Sequence, residues 1–270
     1  MIVFFIDEIK KVSIFKSLFK NIVVNEDKIM LHCQYEKLGL KSKKKIVDKI
    51  TRVLNNENVK RVIISKKLKK DKYFTNLIYS NGFDIVDGKN SMKKLVNQII
   101  DKVCIENKIE SQNANISISI NNLNGLEMNS IYLLAKKFKA LNIVTNNTNY
   151  FIKLKEKLWN EEGIIITLTN NKKKALAQSN IILNVDFPEE MINKYTIYGN
   201  GILINLEENV RIKKKRFNGK IINDYEVKVK ENTEMEKITK DTKYINFDIR
   251  DILEIYLKNN PEEIQNLIIV

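Results

Sequence analysis

The sequence predicts an α/β protein, with an N-terminal α/β lobe followed by a doubly wound, mostly parallel sheet. Three observations predict it. Apolar runs of four to six residues alternate with longer stretches of helical period, the pattern of βα units. The second half repeats strand and helix with short connections, as a doubly wound sheet requires. The chain has 270 residues, 43% of them hydrophobic, enough to bury one large core or two small ones.

The opening run, residues 2–6, is too short for a signal peptide and is followed by Asp7 and Glu8, so it reads as a first buried strand. Further strands are expected at 29–33, 61–65 and 83–86. Helices are expected at 42–55, 71–80 and 91–107. The first carries Ile46, Ile50, Val53 and Leu54 on one face and lysines on the other. The second ends at Asn81-Gly82, a C-cap signal. A polar stretch, 110–114, reads as a linker.

Beyond it, the expected order is strand 115–120, turn 121–125, helix 127–138, strand 141–145, helix 150–161 capped by Gly163, strand 164–168, helix 172–178 and strand 181–185. Asp186-Phe187-Pro188 then breaks the chain before a short helix at 189–194 and a strand at 201–206. Residues 210–216 and 221–229 alternate and read as a hairpin turned at Asn218-Gly219. A helix at 249–257 closes the chain. The domain boundaries read as 1–110 for the N-terminal lobe, 111–230 for the doubly wound domain, and 231–270 for a tail packing back on the lobes.

The segment 115–226 resembles the NAD(P)-binding domain of the shikimate dehydrogenase, glutamyl-tRNA reductase and methylene-tetrahydrofolate dehydrogenase type. Four stretches carry the resemblance: ISISINNLNG (116–125), NIVTNNTNYFIKLKEKL (142–158), ALAQSNIILNVDFP (175–188), and GILINLEEN (201–209) followed by RFNG (216–219). It implies a Rossmann-like domain, an NAD or NADP cofactor, and dehydrogenase kinship. It places the cofactor near Asn121, Asn122, Gly125, Thr145, Asn146, Asn147 and Asp186, in a cleft between the lobes.

The departures from that pattern are specific. A pyrophosphate approaches bare backbone, which is why such turns are rich in glycine. Here Gly125 stands alone, beside Asn121, Asn122 and Asn124. Asn tolerates unusual backbone angles, so the turn can form, but close phosphate approach is hindered. The second strand ends in Thr145-Asn146-Asn147, where an NAD enzyme prefers an acid and an NADP enzyme an Arg. Asn bonds a ribose and selects neither.

The chemistry-bearing residues are few. His32 is the only histidine, which excludes His-based triads and His-rich metal sites in their usual forms. Cys33 and Cys104 read as small core residues, and two cysteines make no disulfide framework. Asp186 and Asp7 each follow a strand, where Asp serves a ligand or caps a helix; at Asp186 the cap is the simpler reading. No reaction and no metal site follow.

The net charge is +14, which favours acidic partners. The abundance of Lys, Asn and Ile, with eight Gly and two Pro, is also what A/T-rich codons deliver. Basic clusters stand at 41–45, 66–72, 172–174 and 211–216. The last, RIKKKR from Arg211 to Arg216, is followed by Phe217 and offers a nucleic-acid contact; lysines guarding an edge strand explain it better. No apolar run is long enough to span a bilayer, and the expected compartment is the cytoplasm. Three function classes stay open: a nucleotide-binding relative of dehydrogenases, a nucleic-acid-binding protein, and a non-catalytic scaffold.

Overall fold

The computed structural model describes residues 3–8, 22–122, 126, 128–195, 197, 199–207, 209–213, 217–231, 233–241, 244–256 and 264–269. The chain divides into two compact units. One comprises Met1–Gly88 with Val229–Glu263, the other Lys89–Lys228 with Ile264–Val270.

The first unit is built on five strands: β1 (Val3–Glu8), β2 (Ile22–Asn25), β3 (Lys28–Leu31), β4 (Arg61–Ile64) and β5 (Asp84–Ile85). Their order is β2-β3-β1-β4-β5, parallel except where β2 meets β3. Side chains alternate across a strand, and β1 serves both faces. Phe4 and Ile6 enter a core with Ile46, Ile50 and Leu54 of helix α1 (Leu40–Asn56) and Phe74. Val3 and Phe5 face Tyr244, Phe247 and Ile252. The Phe5 ring lies 4.9 Å from Tyr244 and 5.2 Å from Phe247. Helices α2 (Lys66–Lys69) and α3 (Lys72–Ser80) follow β4. Asp71 caps α3 by accepting from the Phe74 N–H at 3.0 Å.

In the second unit, α4 (Lys89–Lys94) and α5 (Val96–Glu106) precede the sheet. The helix expected at 91–107 thus divides at Leu95, although the Leu95 N–H still donates to the Ser91 carbonyl and the Ile99 N–H to the Leu95 carbonyl, both at 2.9 Å. There follow β6 (Asn115–Ser119), α6 (Met128–Lys137), β7 (Ala140–Val144), α7 (Thr148–Glu162), β8 (Thr167–Thr169), α8 (Lys172–Ala177), β9 (Ile181–Asn184), α9 (Glu189–Lys194), β10 (Ile202–Asn205) and β11 (Lys220–Ile222). The six strands lie in the order β11-β10-β9-β6-β7-β8, and every pair is parallel. Gly163 ends α7 at φ 66°, with open space around it; a left-handed cap of this kind favours glycine. β12 (Tyr225–Val229) pairs with β13 (Ile264–Ile269) as a ribbon. Helices α10 (Glu234–Lys240) and α11 (Ile249–Tyr256) lie between these two strands in the chain.

A polar row crosses this sheet at its carboxyl edge. Ser119 stands opposite Asn184, and Asn184 opposite Asn205. Asn184 Nδ2 donates to Asn205 Oδ1 at 3.0 Å, and Asn205 Nδ2 to Asn223 Oδ1 at 2.8 Å.

The structure corrects the hairpin expected over 210–229. Residues 210–213 form no strand. Their backbone is satisfied by side chains: Asn223 Oδ1 accepts from Val210 N–H at 2.9 Å, Glu189 from Arg211 at 3.1 Å, and Asn193 Oδ1 from Lys213 at 2.8 Å. Residues 220–222 instead extend the parallel sheet. Gly219 is required because the Gly201 carbonyl and the Phe217 ring occupy the space of a β-carbon, not because it turns a hairpin. The strand expected at 29–33 ends at Leu31, so His32 lies just past it and half-buried. The strand expected at 164–168 is shorter and later, at Thr167–Thr169.

Candidate functional site

Parallel strands bring their carboxyl ends to one edge, and in such sheets ligands lie where the strand order reverses. Chain order from β6 runs outward to β7 and β8 on one side, then to β9, β10 and β11 on the other. This is the strand order of a Rossmann domain. The reversal falls between β6 and β9. The residues that follow these two strands and β7 are those the sequence singled out.

The structure brings six of the seven together. The Asp186 carboxylate, following β9, accepts from the Asn121 backbone N–H with both oxygens, at 2.9 and 2.8 Å. It also accepts from the Asn122 N–H at 3.0 Å and from Asn121 Nδ2 at 3.3 Å. Asn121 Oδ1 in turn accepts from the Asn146 N–H at 2.9 Å. The Asn121 carbonyl accepts from Asn147 Nδ2 at 3.5 Å, and Thr145 Oγ1 from the Asn147 N–H at 3.0 Å. Asn121 is therefore the hub joining three strand ends. Gly125 and Asn124 lie outside the described residues.

The cap reading of Asp186 is corrected. Pro188 is the N-cap residue of α9, and the carboxylate turns instead to the loop after β6. Burial pushes its carboxyl above the ordinary value, outweighing the Asn121 and Asn122 N–H groups; Glu207 adds to the rise and Lys93 opposes it. Lys93 itself pairs with Glu207 at 2.6 Å. From the same helix Lys89 reaches the Asn223 carbonyl at 2.9 Å.

Past β7, residues Asn146 to Tyr150 line an open hollow of about 500 Å³. Tyr150 is half exposed and can offer a ring face to a base. Sequence reasoning passed over Lys172 within its basic run. Its side chain is buried, with Nζ 5.9 and 5.8 Å from the ring centres of Phe187 and Tyr195. Nothing in a run of three lysines marks the first as the inward one.

Burial pushes the Cys33 thiol up to about 11, with Glu8 adding to the rise, and burial also raises Cys104; both rest as thiols in the core. Among the described residues no group of three His, Cys, Asp or Glu side chains could hold a metal, and no helix is long and apolar enough to cross a membrane. Of the run Arg211 to Arg216, residues 214–216 lie outside the described residues, and Lys213 pairs with Glu189 at 3.1 Å.

No family model matches the chain, and no curated protein matches it. Solved structures with similar folds include three dehydrogenases. The D-mandelate dehydrogenase of Rhodotorula graminis is 7% identical, with 94% of this chain and 92% of that chain covered and a TM-score of 0.41. The L-tryptophan dehydrogenase of Nostoc punctiforme is 10% identical, with 79% and 65% covered and a TM-score of 0.36. The shikimate dehydrogenase of Mycobacterium tuberculosis is 11% identical, with 40% and 42% covered and a TM-score of 0.30. The chain thus spans less than two thirds of the last two. At these values the likeness carries no argument about activity. The Rossmann-like description rests on the strand order.

Proposed function

We propose that the second unit binds a nucleotide-class ligand through its sugar and base, and not through a pyrophosphate. The observation that carries this reading is the Asp186 carboxylate seated on the Asn121 and Asn122 N–H groups at the reversal of strand order. Those N–H groups are the donors a phosphate would use there. A fixed anion in their place satisfies them and repels a second anion. The hollow at Asn146–Tyr150 stays open beside it, lined by groups suited to ribose hydroxyls and a base.

Thermal-shift and calorimetric titrations with adenosine, NADH and NADPH test this. Adenosine is expected to bind at least as tightly as either dinucleotide. Asp186→Asn keeps an acceptor and removes the charge. It is expected to tighten NADH by about tenfold, or about 1.4 kcal/mol, and to leave adenosine unchanged. Silence from all three at millimolar concentration sinks the reading and leaves a fold without a ligand. Dehydrogenase chemistry is a narrower proposal, resting on the resemblance alone, because fold does not fix reaction; NADH oxidation in the presence of candidate ketoacids tests it.

A further inference from the structure

The positive charge is not spread along the chain. Residues 37–72 hold fourteen basic residues and three acidic ones, while the rest of the chain holds thirty-three and thirty. Codon bias spreads lysine everywhere, so it does not account for this concentration.

Eleven of these fourteen cations fall into two kinds. Four hold the first unit together. Lys43 pairs with Asp71 at 2.6 Å, Lys67 with Glu8 at 2.6 Å and Glu36 at 3.0 Å, and Lys69 with Asp251 at 2.7 Å; Arg61 pairs with Glu254. A second set has no ion pair with any described residue: Lys41, Lys44, Lys45, Lys49 and Arg52, all exposed on the solvent side of α1. The opposite side, with Ile46, Val47, Ile50 and Leu54, is buried. The Lys43–Asp71 bridge pins the first turn of α1 beside the α2–α3 corner. There Lys70 and Lys72, exposed and likewise without an ion pair among the described residues, flank Asp71. Asp71 is already engaged by Lys43 and the Phe74 N–H.

The arrangement opposes helix stability. The first turn of α1 has no acidic residue, and its N-cap, Gly39, gives no side-chain bond. Cations there face the positive end of the helix dipole, and Lys41, Lys45 and Lys49 repel at i,i+4 spacing. Asp48, four residues from both Lys44 and Arg52, offsets only part of this, whereas a polyanion would reverse the sign of every repulsive contact.

We propose that the solvent face of α1, with the adjoining α2–α3 corner, binds the phosphate backbone of nucleic acid without reading its sequence. Lys41 to Arg52 extends about 16 Å along the helix at 1.5 Å per residue. Measured along a duplex axis, that length spans about five phosphates of each strand, and a single phosphate or mononucleotide would leave most of these cations unmatched. A membrane surface fits less well, because the apolar residues that would enter it are turned into the core.

Fluorescence anisotropy of the full chain with a labelled duplex of about 20 base pairs tests this across roughly 50 to 200 mM salt. Five phosphate contacts predict an affinity loss of about 10²–10³ over that range. The variant K41Q/K45Q/K49Q removes three charges with good helix formers and is expected to keep its melting temperature or raise it slightly, because it relieves the i,i+4 repulsion. It is expected to weaken binding at least tenfold at low salt and to flatten the log–log salt slope by about 2.7. The control K153Q/K155Q/K173Q removes three exposed lysines of the second unit and is expected to leave the slope unchanged. No binding at 50 mM salt overturns the proposal. So does an equal loss in the control, or co-sedimentation with phosphatidylserine vesicles in place of the duplex.

Discussion

Asp251 shows how burial sets the behaviour of one carboxyl group. It is fully buried on α11, with Lys69 Nζ 2.9 and 2.7 Å from its two oxygens. Burial pushes its carboxyl up to about 7, with Asp248 adding to the rise and Lys69 and Arg250 opposing. The native chain therefore keeps a proton that the unfolded chain loses near 3.8. The contribution is fully present below about pH 4 and is lost as pH rises through about 7. Urea midpoints of Asp251→Asn, relative to the parent, are expected to climb between about pH 4 and pH 7; a flat difference would show that Lys69 keeps the group charged throughout. Asn205, fully buried between Asn184 and Asn223, makes a second case. Asn205→Ala is expected to cost about 1–3 kcal/mol by stranding amide groups. Asn205→Leu should do no better, since it fills space without restoring a bond. Neither role was legible in the sequence. An Asn at the end of an apolar strand reads as punctuation until the neighbouring strands are known. The resemblance places Asn121 and Asp186 at one site, but not the bond between them: they are 65 positions apart and meet because β6 lies beside β9.

Elements whose identity depends on local pattern were legible. The apolar runs of β6, β7, β9 and β10 and the stripe of α1 emerge close to where periodicity puts them. Gly163 is such a signal: its cap needs a positive φ and nothing else, because no neighbour crowds it. Gly163→Ala is therefore expected to cost about 1 kcal/mol through backbone strain, and Gly163→Asn to recover part of it, as read from thermal midpoints. Residues 210–213 misled because alternation of apolar and charged residues signals a strand only when a partner strand is free. Asn193, Glu189 and Asn223 had taken those backbone groups first. The pairing of β12 with β13 escaped notice because it joins Tyr225–Val229 to a segment beginning at Ile264, a separation that no local pattern encodes.

For the molecule as a whole, the chain leaves its first unit at Gly88 and returns to it at Val229. The returning stretch supplies Tyr244, Phe247 and Ile252 to the β1 face that holds Val3 and Phe5. At about 1.5–3 kcal/mol per buried side chain, these three are worth on the order of 5 kcal/mol or more, comparable to the whole stability of many domains. A chain ending at Lys228 also loses β13 from the second unit but keeps all six strands of its parallel sheet, so it is expected to yield a protease-resistant fragment from 89–228 and none from 1–88; equal resistance of both would refute that assignment. The same discontinuity orders events on the ribosome. Synthesis runs at about 5–20 residues per second. The nascent first strand thus emerges on the order of ten seconds or more before the aromatic residues that cover it. Throughout that interval one side of its sheet stays greasy and bare, a standing invitation to chaperones that the second unit, whose parallel sheet comes from one unbroken stretch, does not extend.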